Sequence, residues 1–463
     1  MSEYAVGIDF GTSTSEICIY RDPEPYLVPD PATKNPIVPS LVAVNTRGEL
    51  LVGEEARSWV DMEGFGIREV KRKLGTGEMA VLAGKEYRPE EIASFIMRRL
   101  RENAEGLLGA DIRDVVLSVP ANVPEPKRKA TQQAAALAGL NVLRLINEPT
   151  AAALAFGIKN LDLEEQLVVF DFGGGTLDVT VLEMVAGVLD VKSSFGDPYL
   201  GGKDFDEALR DLILDKFKKE HPTAVIPDKH LLDLKATAEG AKIALSRQRS
   251  HLLRFSSFAT LAGQPVDLEV EISRKEFDDA ITPLLDRARK CLNDALAAKR
   301  VEPKAVDRVL LVGGTTYVPS VKTLVAEVFG KEPRSSEVSP DLAVSTGASI
   351  QAALANDLIS SEDGLIVTDV SPFGLGVDVV TQVGPERWML LYEPLMQPNT
   401  TIPYTVKKEY RLLDADQREV NIHVYQDHTG KAYLPADAID TGISAVITDI
   451  PPALYGTPHP IEV

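Results

Sequence analysis

The chain has 463 residues, 44% of them hydrophobic and 25% charged, which is an ordinary globular composition and argues against a mainly disordered or fibrous protein. At ~150 residues per domain, this length corresponds to roughly three structural units. The 69 acidic and 49 basic side chains leave a formal net charge of −20, which repels phosphate backbones and anionic lipid headgroups, so we expect neither nucleic acid nor a membrane as a partner.

The two cysteines, Cys18 and Cys291, lie far apart and predict neither a disulfide framework nor a thiolate metal site. The first residues lack a basic stretch followed by an apolar one, and no run approaches the ~18 apolar residues of a membrane span. These features together predict a cytoplasmic protein.

Short apolar runs alternate with helical patterns over most of the chain, which predicts an α/β fold. The predicted elements, in chain order, are a helix opening at Pro89, a buried strand at 167–170, amphipathic helices at 203–219, 231–246 and 274–299, a buried strand at 309–312 and a helix at 318–330. After about residue 360, Gly, Pro and β-branched residues dominate and helical periodicity disappears. We therefore predict a boundary near 361–364 and a β domain at 370–463.

Two distant segments repeat one pattern. Residues 8–17 align without a gap with residues 170–179. In each segment an apolar strand ends in an aspartate, Asp9 or Asp171, which is followed by a turn of small residues and a second strand. Their separation exceeds the period of solenoid repeats, so the pattern indicates two related halves of the chain.

Both repeats carry residue types that suit phosphate binding. Glycines and small hydroxyl residues let backbone N–H groups approach an anion, and an aspartate at a strand end can hold a hydrated divalent cation. Two such hairpins can clamp a triphosphate and its Mg²⁺ from both sides. The alternative is a pair of tight turns in which the aspartate supplies turn hydrogen bonds, and the duplication weighs against it. A third glycine turn, at 312–316, is by itself more typical of a plain strand-to-helix connection.

Five ordered motifs together resemble the heat-shock 70 (DnaK-like) chaperones of the actin-like ATPase superfamily. They lie at 7–14, 146–153, 170–176, 200–206 and 311–316. The resemblance covers essentially the whole chain and implies a two-lobed ATPase of duplicated ribonuclease-H-like halves at 1–363, a linker at 364–369 and a partial peptide-binding β domain at 370–463. That β domain stops short of the family's closing strands and helical lid. A protein kinase is excluded because no glycine-rich loop, V-A-I-K strand or H-R-D loop accompanies Asp171-Phe172-Gly173.

The resemblance implies a role for each residue that matches a family motif. Asp9 and Asp171 resemble the carboxylates that hold the water shell of Mg²⁺. The residues implied in catalysis are Lys71, Glu148, Asp171 and Thr176. The implied contacts with ATP or ADP come from Gly11, Thr12, Ser13, Thr14, Gly173, Gly174, Gly175, Gly201, Gly202, Glu239, Lys242, Ser246, Gly313, Gly314, Thr315 and Asp341. K⁺ is a further candidate ion of this site.

Several of these residues have simpler explanations at the level of sequence. Lys71 lies in a run of cations that, taken alone, favours a solvated basic segment, although a fixed ammonium near the γ-phosphate would orient water and stabilise developing charge. Glu148 also fits a helix N-terminal charge before Pro149. Asp178, a further site aspartate of the family, also fits a charge on a strand face. The set of Glu239, Lys242 and Ser246 also fits a solvated helix face with one ion pair.

The chain departs from the family pattern at two positions that the resemblance assigns to contact with the adenine base. Ile243 stands where the family usually carries an arginine that stacks on adenine, and Tyr317 stands where a second stacking arginine follows the third glycine turn. Apolar and aromatic contact can replace part of that stacking. We therefore expect weaker ATP binding than the family pattern implies, and reduced discrimination for adenine.

The positions that the resemblance implies in coupling the ATPase to the peptide-binding domain match the family pattern only in part. Pro120 and Arg128 match the family's proline switch and arginine relay, whereas Asn122 and Val123 replace an aromatic pair. The linker keeps three apolar residues that can dock as an added strand, but it lacks the family's leading aspartate and last leucine.

The resemblance also implies partners. Arg144, Asn147 and Asp369 match positions linked to J-domain co-chaperones, and ordinary surface polarity explains them equally well. Val420 aligns with a valine of the family's central peptide pocket, and it is also a reasonable core residue. Unfolded or extended apolar peptides, a J-domain protein and a nucleotide exchange factor are the implied partners.

The leading hypothesis is a slow ATPase that couples its nucleotide state to the binding of unfolded peptide. The alternative is a nucleotide-sensing, catalytically weak binding or regulatory module, which Ile243, Tyr317 and the missing lid favour. A filament-forming actin relative and a sugar kinase are disfavoured by the C-terminal β region and the linker.

Overall fold

The computed structural model describes residues 3–62, 64–333, 339–359, 365–413, 417–450 and 460–462. The predicted boundary at 361–364 lies outside these residues. Across the described ranges, no helix combines the length and the apolar character needed to cross a membrane.

The described residues of the N-terminal third form a six-stranded sheet, two smaller sheets and four α-helices. Its elements are β1 (Ala5–Phe10), β2 (Thr14–Arg21), β3 (Glu24–Leu27), β4 (Val38–Pro39), β5 (Leu41–Val44), β6 (Leu50–Val52), β7 (Gly66–Arg68), α1 (Val70–Lys73), β8 (Ala80–Leu82), β9 (Lys85–Tyr87), α2 (Pro89–Leu108), β10 (Asp114–Val119), α3 (Glu125–Leu137), β11 (Asn141–Asn147) and α4 (Glu148–Gly157). The predicted helix start at Pro89 is confirmed, since α2 begins at this residue. Proline suits the first helical position because its missing N–H would have no partner within the helix there.

The middle part alternates long strands and long helices. Its elements are β12 (Glu165–Phe172), β13 (Leu177–Val185), β14 (Val188–Asp197), α5 (Gly202–Glu220), α6 (Asp228–Arg247), β15 (Ser250–Leu261), β16 (Gln264–Ser273), α7 (Arg274–Ala298), β17 (Arg308–Val312), α8 (Pro319–Phe329) and α9 (Ala343–Ala355). The four amphipathic helices and the two buried strands predicted from periodicity are confirmed within this part. The α/β fold is confirmed as well.

The C-terminal part is built from strands. They are β18 (Ile366–Ser371), β19 (Gly374–Gly384), β20 (Arg387–Met396), β21 (Thr400–Ile402), β22 (Glu409–Arg411), β23 (Val420–Asp427), β24 (Ile439–Ile447) and β25 (Pro460–Glu462). One sheet has the order β20-β19-β23-β24, and β22 pairs with β25 in a second, two-stranded sheet.

The two repeated segments form the same substructure in two different sheets. In the first sheet, of order β11-β10-β1-β2-β3 with β4 on β2, β1 is antiparallel to β2 and parallel to β10. In the second sheet, of order β17-β12-β13-β14-β18-β21, β12 is antiparallel to β13 and parallel to β17. Each aspartate is therefore the last residue but one of the first strand of a hairpin, and that strand has a parallel neighbour on its other side.

Helices α4 and α9 bring the two sheets together. A Cβ at Gly347 of α9 would lie 1.7 Å from the carbonyl oxygen of Ala151 in α4, and one at Gly7 of β1 would lie 2.1 Å from the amide nitrogen of Ser349. Only glycine permits backbones to approach this closely. The two hairpin turns are consequently held on opposite sides of one cleft.

The predicted docking of the linker as an added strand is confirmed. β18 pairs in parallel with β14, with Val188 opposite Ile366 and Asp190 opposite Thr368. Leu365, just before the strand, is buried, whereas Ile366 is exposed. The segment predicted as a linker thus extends the second sheet at its β14 edge.

Candidate functional site

The turns of the two repeated hairpins face each other at van der Waals distance. A Cβ on Gly174 would lie 2.2 Å from Ser13 Oγ, and one on Gly175 would lie 2.5 Å from Thr12 Oγ1. Any larger residue in the second turn would push the first turn away. The glycines therefore set the spacing at which both turns present their backbone to the same space.

Two further glycine segments close around the second turn. Gly313 has φ +82° and a Cβ there would lie 2.5 Å from the carbonyl oxygen of Phe172, so the third turn requires glycine at this position. Thr315 Oγ1 donates to the carbonyl oxygen of Gly173 at 2.8 Å. The amide of Gly202 also donates to Gly173, at 3.1 Å. Three segments far apart in sequence are thereby fastened together.

These segments line a cleft with a volume of about 390 Å³, within the usual range for small-molecule sites. The predicted site residues that line it are Asp9, Gly11, Thr12, Ser13, Thr14, Lys71, Glu148, Asp171, Gly173, Gly174, Gly175, Thr176, Gly202, Glu239, Lys242, Gly313, Gly314, Thr315 and Asp341. Gly201 and Ser246 do not line it. Gly201 packs behind the second turn, where a Cβ would lie 2.4 Å from Gly175 N. Ser246 Oγ instead donates to the carbonyl oxygen of Lys242.

Lys71 is a buried residue and not part of a solvated run. Its ammonium donates to Glu148 Oε1 at 2.6 Å, and its relative exposure is only 5%. Burial alone disfavours the ammonium, but Glu148 and then Asp9 outweigh burial and raise the pKa of Lys71. Burial raises the pKa of Glu148 to about 7, although Lys71 opposes this effect. The surrounding carboxylates therefore favour the charged form of Lys71.

Asp9 and Asp171 lie at the same inner end of the cleft. Ser118 Oγ donates to Asp9 Oδ1 at 2.6 Å, and burial raises the pKa of Asp9 against the opposing effect of Lys71. Burial and then Glu148 raise the pKa of Asp171 well above its usual value. Asp171 Oδ2 is buried and has no hydrogen-bond partner among the described residues. A buried carboxylate without a partner is costly, so this end of the cleft suits a cation.

Asp178 makes a contact that joins the two sheets. It lies directly opposite Asp171 in the β12–β13 hairpin, and its Oδ1 accepts hydrogen bonds from the amide and from Nδ2 of Asn122, at 3.2 and 2.7 Å. A Cβ at Gly196 would lie 2.7 Å from that Asn122 Nδ2, so glycine leaves the space that the amide occupies. Asn122, a departure from the family pattern, therefore holds the loop after β10 against β13.

The opposite end of the cleft carries a network of paired charges. Lys203 Nζ lies 2.9 Å from Glu239 Oε1, and Lys242 Nζ lies 2.8 Å from Asp206 Oδ1. Burial disfavours the Glu239 carboxylate, but Lys203 outweighs burial and lowers the pKa of Glu239. The carboxylate of Glu239 therefore stays ionised at neutral pH.

The two departures at this end are both accessible to a ligand. Ile243 is 51% exposed and Tyr317 is 45% exposed, and both line the cleft. The Tyr317 hydroxyl donates to Asp341 Oδ2 at 3.0 Å, which orients its ring. An apolar side chain and an aromatic ring are thus both available for contact with a ligand.

Sequence reasoning assigned no role to several residues of the site. Glu16 and Arg247 line the cleft, Ser118 holds Asp9, and Lys203 holds Glu239. The alternation of side chains along β2 places Glu16 on the same face as Asp9, and this signal was available from the sequence. The contacts of Ser118 and Lys203 bridge separate elements, and no local pattern indicates them.

The described residues contain no group of three or more His, Cys, Asp or Glu side chains arranged to ligate a metal directly. The carboxylates of the cleft nevertheless suit a hydrated ion. Mg²⁺ usually keeps several waters and takes few protein ligands. Asp9 and Asp171, with the unpartnered Oδ2 of the latter, fit such a cation held through water.

A second cavity, of about 460 Å³, lies in the C-terminal β part. Its lining is mainly apolar and consists of Val377, Asp378, Val379, Val380, Trp388, Leu390, Tyr410, Arg411, Leu412, Leu413, Gln417, Val420, Asn421 and Ile422. Trp388 and Leu413 are more than half exposed. Val420, singled out in the sequence, is therefore both a strand residue and a cavity residue.

Hydrogen bonds connect β18, which contains most of the predicted linker, to both sheets. Thr368 Oγ1 donates to Asp190 Oδ1 in β14 at 2.5 Å. Asp369 Oδ2 accepts from Asn147 Nδ2 at 3.1 Å and from Thr150 Oγ1 at 2.9 Å. A guanidinium nitrogen of Arg128 donates to Asn147 Oδ1 at 2.8 Å. Arg144 is exposed and takes part in none of these hydrogen bonds. Of the three residues that the resemblance links to a J-domain protein, only Asn147 and Asp369 are in contact with each other.

The chain is similar to known proteins over its full length. A family model described as "Hsp70 protein" matches residues 5–463. "Chaperone protein DnaK" of Thermosipho melanesiensis is 38% identical over 464 residues, which cover 100% of this chain and 76% of that protein. "Chaperone protein DnaK" of Thermotoga maritima is 39% identical over 465 residues, covering 100% and 76%. That of Nitrosopumilus maritimus is 37% identical over 465 residues, covering 99% and 70%.

Proposed function

The chain belongs to the Hsp70 family, and from this premise we infer that it is an ATP-dependent chaperone, an ATPase that couples its nucleotide state to the binding of unfolded peptide segments. The observation that carries this inference is the cleft between the two hairpin turns, with the buried Lys71–Glu148 pair at its inner end. We propose an actin-like domain of two related halves at 1–363, a linker at 364–369 and a partial β-sandwich at 370–463. The duplicated hairpins and the four-stranded C-terminal sheet support this division.

The cleft has the parts that a nucleoside triphosphate with Mg²⁺ would use. Asp9 and Asp171 would hold the ion through water, and the three glycine turns would offer backbone N–H groups to the phosphates. Bound Mg²⁺ would neutralise phosphate charge during hydrolysis. K⁺ is a further candidate for the same acidic end.

We propose that Lys71 acts on the γ-phosphoryl group. Its ammonium is held by Glu148, stays charged because of the surrounding carboxylates, and faces the cleft between the two aspartates. A positioned cation of this kind orients the attacking water and stabilises charge that develops on the equatorial oxygens. Thr176, on the second turn, lines the same cleft and would donate to a phosphate oxygen. Glu148 is a positioning residue that acts through Lys71.

The raised pKa of Glu148 predicts a pH-dependent stability. The ordinary pKa is 4.5 and the folded value is about 7, so the folded chain binds an extra proton between these limits. The stabilising contribution of this proton is complete below pH 4.5, falls as pH rises through the window, and is lost above about 7. The melting temperature of the nucleotide-free chain should therefore fall less from pH 5 to 7.5 in Glu148→Gln than in the parent. Parallel curves for the two proteins would contradict the raised pKa.

Ile243 and Tyr317, which replace two stacking arginines of the family pattern, predict weaker ATP binding than that pattern implies. A cation–π contact in a partly desolvated site contributes about 1–2 kcal/mol, so a lost stack costs ~10-fold in affinity where nothing replaces it. Tyr317 can restore part of this by stacking its ring, whereas Ile243 offers only apolar contact. The double variant Ile243→Arg with Tyr317→Arg should bind ATP at least 10-fold more tightly in a calorimetric titration, with a smaller gain for GTP.

Leu252→Arg is the matched control for added charge, because Leu252 is exposed and lies outside the cleft lining. If the double variant binds ATP no more tightly than the parent, the native pocket is already compensated and the low-affinity expectation is wrong.

We propose that the cavity in the β part receives extended apolar peptide. Its walls are mainly aliphatic and aromatic, and exposed Trp388 and Leu413 stand beside it. Strand residues on one face, including Val420 and Ile422, point into it. A peptide with alternate apolar side chains would bury them there.

Contacts between the β part and the N-terminal part support coupling of the two sites. Gln426 Oε1 accepts from the Glu125 amide at 3.0 Å, and Lys129 Nζ donates to the carbonyl oxygen of Thr441 at 2.9 Å. Together with the linker contacts, they join α3 to β23 and β24. A J-domain protein and a nucleotide exchange factor are the partners we propose for such a machine.

The decisive experiment is phosphate release under single-turnover conditions, with and without an extended leucine-rich peptide. We expect slow release that the peptide accelerates. In Val420→Phe, which narrows the cavity, the peptide's dissociation constant should rise at least 10-fold and the acceleration should disappear at the same peptide concentration. Val446→Phe, at an exposed position of β24 outside the cavity, is the matched control. Acceleration that is equal in Val420→Phe and the parent would contradict peptide binding at this cavity.

A catalytically weak nucleotide-sensing module is the second candidate, and Ile243 and Tyr317 are the observations that favour it. In that case ATP would bind and alter the β part, but single-turnover release of phosphate would not exceed the rate without protein.

A further inference from the structure

Glu16 is a buried carboxylate of the cleft that is paired with no cationic side chain among the described residues. It lies in β2 directly opposite Asp9 in β1, and residues paired across neighbouring strands point to the same face. Its relative exposure is 1%, and it lines the cleft. Two acidic side chains thus stand side by side at the end of the cleft where we place the phosphates.

Glu16 Oε1 has no hydrogen-bond partner in the part of the chain that the structure describes. Glu16 does contact the side chain of Thr14, and Asp9 contacts Ser118, so each carboxyl group is oriented by a neutral hydroxyl. Neither hydroxyl carries a charge that would compensate a buried carboxylate. The side chains of Glu16 and Asp9 also lie within hydrogen-bonding reach of each other. Either a proton shared by the pair or a bound cation would compensate the buried charge, and the excess of carboxylates in the cleft favours the cation.

Two of the three cations that line the cleft are already paired with other carboxylates. The lining contains six carboxylates, Asp9, Glu16, Glu148, Asp171, Glu239 and Asp341, and three cations, Lys71, Lys242 and Arg247. Lys71 is paired with Glu148 at 2.6 Å, and Lys242 with Asp206 at 2.8 Å. ATP would add more negative charge to this excess, so the Asp9–Glu16 pair is where a further positive charge is most needed.

We propose that Glu16 is a further cation-binding residue of the cleft, which together with Asp9 holds the divalent ion, directly or through its water shell. This inference rests on the proposed ATP site and adds a residue to it. One carboxylate from each strand of the hairpin would then face the ion from the same side, with Asp171 on the opposite hairpin. Residues that support a metal site in this way typically change its affinity 10–100-fold when they are replaced.

Mn²⁺ is a suitable probe, because its free concentration is measured by electron paramagnetic resonance. We would titrate Mn²⁺ into the chain saturated with ADP, using the parent, Glu16→Gln, Asp9→Asn and Glu86→Gln, with Mn²⁺ and ADP alone as the blank. Glu86 is an exposed glutamate of β9 and controls for loss of one distant negative charge. We expect the dissociation constant of Mn²⁺ to rise at least 10-fold in Glu16→Gln and in Asp9→Asn, and to stay at the parent value in Glu86→Gln.

Thermal unfolding in EDTA separates this effect from misfolding. Glu16→Gln removes a buried carboxyl group that lacks compensation, so it should unfold at or above the parent's temperature without cation, and should gain less from added Mn²⁺. A variant that unfolds well below the parent in EDTA would overturn the proposal, because Glu16 would then be a structural residue.

The remaining outcomes distinguish this inference from the function on which it rests. If Asp9→Asn weakens Mn²⁺ binding and Glu16→Gln does not, a proton or a neutral partner satisfies Glu16 and the inference is wrong, while the proposed ATP site stands. If neither variant weakens it, the ion is not held at Asp9 and the proposed site itself fails. An equal loss in Glu86→Gln would show a general charge effect and would also overturn the proposal.

Discussion

Lys71→Ala is expected to lower single-turnover ATP hydrolysis on the order of 10²–10³-fold while ATP affinity stays close to that of the parent. The ammonium is buried, paired with Glu148 and surrounded by carboxylates, so its charge is available at a fixed position in the cleft. An interaction that strengthens only in the transition state changes turnover far more than ground-state binding. Phosphate release and calorimetric titration of Mg·ATP on the same preparation measure the two quantities.

Lys73→Ala is the matched control for Lys71→Ala. Lys73 belongs to the same short run of cations, but its side chain is 47% exposed and its nearest acidic partner, Glu78, lies 3.7 Å away. We expect Lys73→Ala to turn over like the parent. If both variants hydrolyse ATP at the parent rate, Lys71 has no part in the reaction.

The second large effect is expected at the carboxylates of the two hairpins. Asp9→Asn and Asp171→Asn should each weaken the binding of Mg·ATP, on the order of 10–100-fold if they support the ion through its water shell. Both substitutions keep the size of the side chain and remove one negative charge. For this reason ATP without Mg²⁺, measured in EDTA, should bind the variants at least as tightly as the parent, since repulsion of the phosphates is reduced.

The crossed dependence on Mg²⁺ is the signature of this site. Asp22→Asn, at a side chain that is 90% exposed, is the control and should leave both affinities unchanged. Undiminished affinity for Mg·ATP in Asp9→Asn and Asp171→Asn together would count decisively against a phosphate site between the hairpins. A loss of equal size with and without Mg²⁺ would indicate damage to the fold and not loss of the ion.

Local patterns in the sequence were sufficient to predict the main helices and strands and the turns that line the cleft. Helices such as α7 have a 3.6-residue apolar period and capping residues, including Ser273, whose Oγ accepts from the Glu276 amide. The hairpins that carry Asp9 and Asp171 at the start of their turns were predicted because strand, aspartate and small-residue turn are contiguous in sequence. The glycine turns were also predicted from local sequence. A left-handed φ or a close backbone contact requires glycine at one particular position, and that glycine is visible in the sequence.

Only the tertiary structure decided which charged side chains meet. Lys71 lies in a basic run that predicts a solvated segment. In the structure it is buried and paired with Glu148, the first residue of α4, which lies far away in sequence. The bonds of Asn122 to Asp178 and of Lys203 to Glu239 likewise join elements from distant parts of the chain. Periodicity specifies which face of an element is buried, but not which element covers it. Pairing of buried charges is set by where backbones approach closely, and here the contacts of Gly7, Gly174 and Gly347 across elements determine that approach.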